Sequence, residues 1–227
     1  ETNRVGDNDI GLDSVTTLHC IVAQDIATEE VFTFPPWELD KGVELLQSAK
    51  TLIGHNIIGF DIPVLERLTS FKQGAIKVVD TLVTSRLFYP IREGGHSLNR
   101  WGFHLGYSKI EFEDYDSYSE EMLTYCIRDV ELNTKVFRAL QKEGKGFSKE
   151  SVDLEHSVAL PLRQQEWTGF KFNVKKGELL LADLREKMQA SEDEVHKVFK
   201  PKMVDDKLVH PYIKKDKTLS KRGLTDD

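Results

Sequence analysis

Cysteine is scarce in this chain. Its 227 residues include two, Cys20 and Cys126, far apart and without metal-site spacing, which excludes a disulfide scaffold or thiolate metal site and leaves them as reduced thiols. A basic excess is lacking as well: 31 Lys and Arg stand against 38 Asp and Glu, a formal net charge of −7. No global positive field draws the chain onto a polyanion, so any nucleic-acid contact must be local and modest. No apolar run approaches the roughly 20 residues that span a bilayer, and the start of the chain has no basic-then-apolar leader pattern. These absences predict a soluble, cytoplasmic protein with no membrane partner.

With 39% hydrophobic and 30% charged residues, the chain is long enough to bury one sizeable core with an appendage. Val15–Asp25 is rich in β-branched and apolar residues, and Glu30–Phe34 alternates after a polar break, which predicts a hairpin ended by Pro35-Pro36. Trp37–Ala49 has helical apolar spacing, Thr51–Asn56 reads as a short buried strand, Asp61–Ser70 as a helix, Ile76–Asp80 as a strand and Thr81–Phe88 as a helix. Such alternation implies an α/β layer structure.

The longest periodic segment, Ser119–Leu140, predicts one helix with Ser119 as N-cap and Glu120 and Glu121 in the first turn. Gly144-Lys145-Gly146 breaks the chain, and two further helices follow, from Lys149 to about Gln165 and from Val174 to about Phe199. From Pro201 onward, lysine, aspartate and turn residues read as a weakly packed tail.

Two motifs carry chemistry. In Met122–Asn133, Tyr125 and Asp129 lie one helical turn apart on a common face, where they can serve one metal-bound water. In Gly54-His55-Asn56-Ile57-Ile58-Gly59-Phe60-Asp61, a second carboxylate follows an apolar run where a strand hands over to a helix. Two carboxylates from separate elements can converge on hard cations. Asp61 also has the simpler reading of a cap for the helix that starts at Ile62-Pro63. His55 reads as a hydrogen-bonded structural residue and Trp101 as core; Arg86, Arg92 and Arg100 are even between phosphate contacts and solvated charges.

Asn56-x-x-x-Phe60-Asp61 and Tyr125-x-x-x-Asp129 resemble the second and third motifs of the proofreading exonucleases with four acidic metal ligands, in the tyrosine branch. Asp80-Thr81-Leu82-x-x-Ser85-Arg86-Leu87 and His96-Ser97-Leu98-x-x-Trp101-Gly102-x-x-Leu105-Gly106 stand between them as in family A DNA polymerases of short-tailed bacteriophages. The resemblance covers about residues 11 to 173. It implies a ribonuclease-H-like fold, a mixed sheet of about five strands flanked by helices. The exonuclease domain would take residues 1–145; a linker helix and the beginning of a polymerase thumb would take residues 146–227.

The resemblance further implies a 3′-to-5′ exodeoxyribonuclease that frees nucleoside monophosphates from single-stranded DNA 3′ ends, working on a primer-template with polymerase palm and fingers that this sequence does not contain. In a phage-encoded protein the compartment would be the host bacterial cytoplasm. Two Mg²⁺ or Mn²⁺ ions would be held by Glu1, Asp61 and Asp129, with Tyr125 orienting the attacking water and Asn56 contacting substrate. Glu1 resembles the second acid of an Asp-x-Glu first motif; Asp7 or Asp9 is its rival, disfavoured by a polar, glycine-flanked setting. An alternative follows from the incomplete first motif: a catalytically impaired module that binds single-stranded DNA or acts as a scaffold. A stand-alone RNA-trimming enzyme is disfavoured by the thumb-like stretch after Glu166.

Overall fold

The computed structural model describes residues 2, 12 and 14–200. The chain divides into two compact units, Glu1–Gly169 and Phe170–Asp227. In the first unit, β1 (Ile21–Gln24) and β2 (Val31–Phe34) form the expected hairpin, in register Ile21 to Phe34 and Gln24 to Val31. Its turn is closed by Asp25, whose carboxylate accepts from the Ala27 and Thr28 N–H groups, both at 2.8 Å. Pro36 then opens a single 3₁₀ turn that leads into α1 (Leu39–Ser48).

β3 (Thr51–Gly54) and β4 (Lys77–Asp80) pair in parallel, and the crossover between them contains α2 (Asp61–Leu68). α3 (Thr81–Phe88), α4 (Leu98–Leu105), α5 (Glu120–Glu143) and α6 (Lys149–Thr168) complete the unit. The fold is mixed α/β, small sheets flanked by helices, as expected of a ribonuclease-H-like domain. The strands differ from the five-stranded expectation: among the described residues they form two separate two-stranded ladders. Thr2, 6% exposed, makes an antiparallel bridge to Leu18 just ahead of β1, and most of the chain around it lies outside the described residues.

α5 organises the unit. Ser119 caps it by accepting from the Met122 N–H at 3.1 Å, a contact that contributes about 1 kcal/mol. Met122, Cys126, Leu132, Val136 and Leu140 recur at helical spacing and are buried, each contributing about 1.5–3 kcal/mol. The C-terminal part of that stripe meets Trp101 of α4 in one core cluster, while its middle packs on β1. A second cluster joins Ile21, Val43, Leu65, Phe71 and Ile76 under the hairpin and α1.

α4 follows the Gly94-Gly95 turn, in a stretch to which the residue pattern assigned no helix. Ser97 caps it, accepting from Arg100 N–H at 3.3 Å, and Gly106 ends it in the left-handed region at φ 62°, a conformation costly for other residues. Trp101 is core, as expected: it is 2% exposed and its indole N–H donates to Ser85 Oγ at 3.1 Å.

The second unit contributes α7 (Val174–Val198), capped by Asn173, which accepts from the Lys176 N–H at 3.0 Å. No helix among the described residues is long and apolar enough to cross a membrane.

Candidate active site

The carboxyl ends of β3 and β4 lie side by side, Gly54 paired with Asp80, and the chain leaves both strands toward the same edge. Ligands in open α/β sheets gather at such ends. Past Gly54 the chain turns sharply: Asn56 takes φ 61°, a left-handed conformation that asparagine tolerates better than most residues. A Cβ on Gly59 would meet Asn56 Oδ1 at 2.5 Å, so a side chain there would displace the Asn56 amide.

Asp80, 1% exposed, holds this turn together. Its Oδ1 accepts from Asn56 N–H at 2.9 Å and its Oδ2 from Ile58 N–H at 3.1 Å. The same carboxylate caps α3 by accepting from Leu82 N–H at 2.9 Å and Val83 N–H. Its own N–H donates to His156 Nε2 of α6 at 2.8 Å. A landmark of the sequence motif is thus the knot that joins β3, β4, α3 and α6. The partners of its carboxylate are main-chain groups, which leave no trace in a residue pattern.

α5 crosses this edge with Tyr125, Asp129 and Asn133 spaced four residues apart. Asn133 anchors it: its Oδ1 accepts from Thr81 Oγ1 at 2.8 Å, and Thr81 in turn lies 2.9 Å from His55 Nδ1. Burial pushes the His55 imidazole down to about 4; Asp80 and a hydrogen bond to the His96 main chain oppose that shift, and the positive charges of Lys109 and Arg86 add to it. His55 is therefore neutral at physiological pH, in keeping with its structural reading.

Tyr125 and Asp129 meet at one cation. The Lys109 ammonium donates to Tyr125 Oη at 2.8 Å and lies 2.6 Å from Asp129 Oδ2, with lysine and aspartate side chains 22% and 16% exposed. Aromatic packing fixes the phenol: Phe112 stacks on Tyr125 at 5.5 Å and 25°, and Tyr115 meets it edge-on at 6.2 Å. The sequence gives no sign of Lys109, which stands in the irregular stretch between α4 and α5 with no periodicity around it. The length of that stretch, unusual for a structureless connection in a compact domain, is the one signal that points there.

The remaining expected residues are placed as follows. Asp61 is exposed and opens α2 as its first helical residue; Phe60 holds the N-cap position and makes no side-chain cap bond. The aspartate is therefore not the cap, although its charge suits a helix N-terminus. Asn56 is exposed at the turn. Glu1, Asp7 and Asp9 lie outside the described residues. Among the described residues, no three His, Cys, Asp or Glu side chains are grouped so as to hold a metal ion. Arg92 is engaged structurally, over the Trp101 ring at 4.0 Å and paired with Glu143 at 2.5 Å.

Over 235 aligned positions the chain is 26% identical to the DNA-directed DNA polymerase of Escherichia phage T7, a match covering 76% of this chain and 33% of the relative. The DNA-directed DNA polymerase of Enterobacteria phage T3 matches with the same identity and coverage. The chain is a homologue of these phage DNA polymerases. It spans about a third of the length of the curated relatives it matches. No protein-family model matches it. The similarity bears out the resemblance to DNA polymerases of short-tailed bacteriophages.

Proposed function

We propose that the chain is the 3′-to-5′ exonuclease part of a phage-type DNA polymerase, trimming single-stranded DNA 3′ ends to nucleoside monophosphates. The observation that carries this reading is the convergence of Tyr125 and Asp129 on a common cation, at the carboxyl edge of β3 and β4, in a chain homologous to phage polymerases.

The donor set fits a hard cation. A carboxylate and a phenolic oxygen already share a positive charge, in the form of the Lys109 ammonium, and carboxylates are the ligands that Mg²⁺ and Mn²⁺ prefer. Asp129 would hold such an ion with Asp61 and Glu1 as further ligands. When bound, a pair of ions would supply a nucleophile from water near neutral pH and offset charge on the leaving oxygen. Tyr125 would orient the water, its ring clamped by Phe112 and Tyr115. Asn56, exposed on the turn beside His55, would meet the substrate.

The test is digestion of an end-labelled single-stranded DNA oligonucleotide with Mg²⁺ or Mn²⁺, comparing the parent with Asp129→Asn. Loss of metal-dependent degradation with the fold retained is the expected result; no digestion by the parent would overturn the reading, and near-parental turnover of the variant would remove Asp129 from the site. A second reading is a binding or scaffold module in which the Lys109 ammonium keeps the Asp129 carboxylate, 2.6 Å away. Tight oligonucleotide binding without metal-dependent digestion by the parent would select it.

A further inference from the structure

Lys109 belongs to neither acid-bearing motif, yet its ammonium touches the reactive atoms of both Tyr125 and Asp129. The chain holds it on both sides. Just before it, Tyr107 donates its hydroxyl to Glu131 and lies under the Arg128 guanidinium at 3.5 Å, while Arg128 Nε donates to the Ser108 carbonyl at 3.1 Å. Just after it, Phe112 and Tyr115 pack on Tyr125, and the Tyr115 carbonyl lies 3.1 Å from His19 Nε2. These contacts fix the lysine main chain and leave only its stem to move.

We propose that Lys109 is an internal counter-ion and a positioning residue: it neutralises Asp129 and fixes Tyr125 while no divalent cation is bound, and competes with that cation for the Asp129 carboxylate. The inference rests on the nuclease reading of the site and deepens it. The physical reason is charge. A largely buried carboxylate is costly without a positive partner, so the lysine stabilises the metal-free site. An ammonium and a divalent ion repel each other at contact distance, so both cannot hold Asp129 Oδ2 together. The lysine stem is flexible and its three donors are not bound to one geometry, so the ammonium can give up Asp129 and keep Tyr125. Donation into the phenolic oxygen then directs the hydroxyl proton of Tyr125 away from Lys109, presenting it as a donor.

The experiment uses the full chain and titrates Mn²⁺ calorimetrically without DNA, for the parent, Lys109→Met, Lys109→Gln, Lys109→Arg and Asp129→Asn. Removing a competing charge should tighten Mn²⁺ binding in the Met and Gln variants by about tenfold, equivalent to about 1.4 kcal/mol, while Arg stays near the parent. Their metal-free melting temperatures should fall and be restored by Mn²⁺. On single-stranded DNA, kcat should fall with KM unchanged, because Tyr125 is no longer held. Equal or weaker Mn²⁺ binding by both neutral variants overturns the proposal, as does a metal-free melting temperature unchanged from the parent. The two readings fail differently: absence of Mn²⁺-dependent digestion by the parent sinks the nuclease reading and digestion that survives Asp129→Asn sinks its placement at this site, whereas dependence on Asp129 with no response to Lys109 sinks only the counter-ion role.

Discussion

Asp80 Oδ1 accepts the Asn56 main-chain N–H at 2.9 Å, so the cap of α3 and the turn after β3 share one carboxylate. Asp80→Ala would leave the N–H groups of Asn56, Ile58, Leu82 and Val83 without that acceptor in a buried setting. At about 1–3 kcal/mol for each buried donor left unmade, offset by partial solvation, the expected loss is about 3 kcal/mol or more. Urea denaturation of parent and variant checks this; a loss below about 1 kcal/mol would mean the turn is held by other contacts.

Asn56 combines a left-handed backbone with an exposed side chain, and two substitutions separate these properties. Asn56→Ala should cost about 1 kcal/mol because alanine resists φ 61°, whereas Asn56→Gly should stay close to the parent in stability. Both should raise KM for a single-stranded oligonucleotide if the amide meets the substrate. A KM raised only in the alanine variant would assign Asn56 to turn geometry alone.

Much of this was legible from residue order. α5 showed itself through an apolar stripe, a serine cap and paired first-turn glutamates, and periodicity also placed Tyr125 and Asp129 on one face. α4 did not, because its eight residues are few for a period to show, include Gly102 and follow the Gly94-Gly95 turn; the Ser97 cap and Gly106 stop were its only local signs. Lys109 and Asp80 were illegible for a different reason. What they do depends on groups distant in sequence, a phenol and carboxylate on α5 for Lys109 and the Asn56 and Ile58 main-chain N–H groups for Asp80, whose cap of α3 alone is local; neither local propensity nor helical period encodes the distant contacts.

Tyr125→Phe deletes the hydroxyl that Lys109 contacts while keeping the ring between Phe112 and Tyr115. Folding should be nearly unaffected, and oligonucleotide KM unchanged. If the hydroxyl orients the attacking water, kcat should fall by about 10- to 100-fold, the lower part of the range for positioned proton-handling groups. Steady-state digestion with Mg²⁺ measures it; an unchanged kcat would reduce Tyr125 to a packing residue.

The depressed His55 sets an acid limit on stability. In the unfolded chain the imidazole takes up its proton near 6.5, whereas in the fold burial holds it back to about 4. Between these values the unfolded state binds more protons than the folded state, so unfolding free energy rises with pH across the window and levels off above about 6.5. The contribution is fully present at neutral pH and is lost as pH falls toward 4. His55→Gln can keep a hydrogen bond to Thr81 without a titrating ring, so it should remove His55's share of this slope while leaving stability near pH 7 within about 1 kcal/mol. Urea midpoints for parent and variant from pH 4 to 8 supply the comparison. Parallel curves through the acid range would show that His55 is protonated as readily in the fold as out of it, and that the α3–α5 network around Thr81 does not depend on its neutral form.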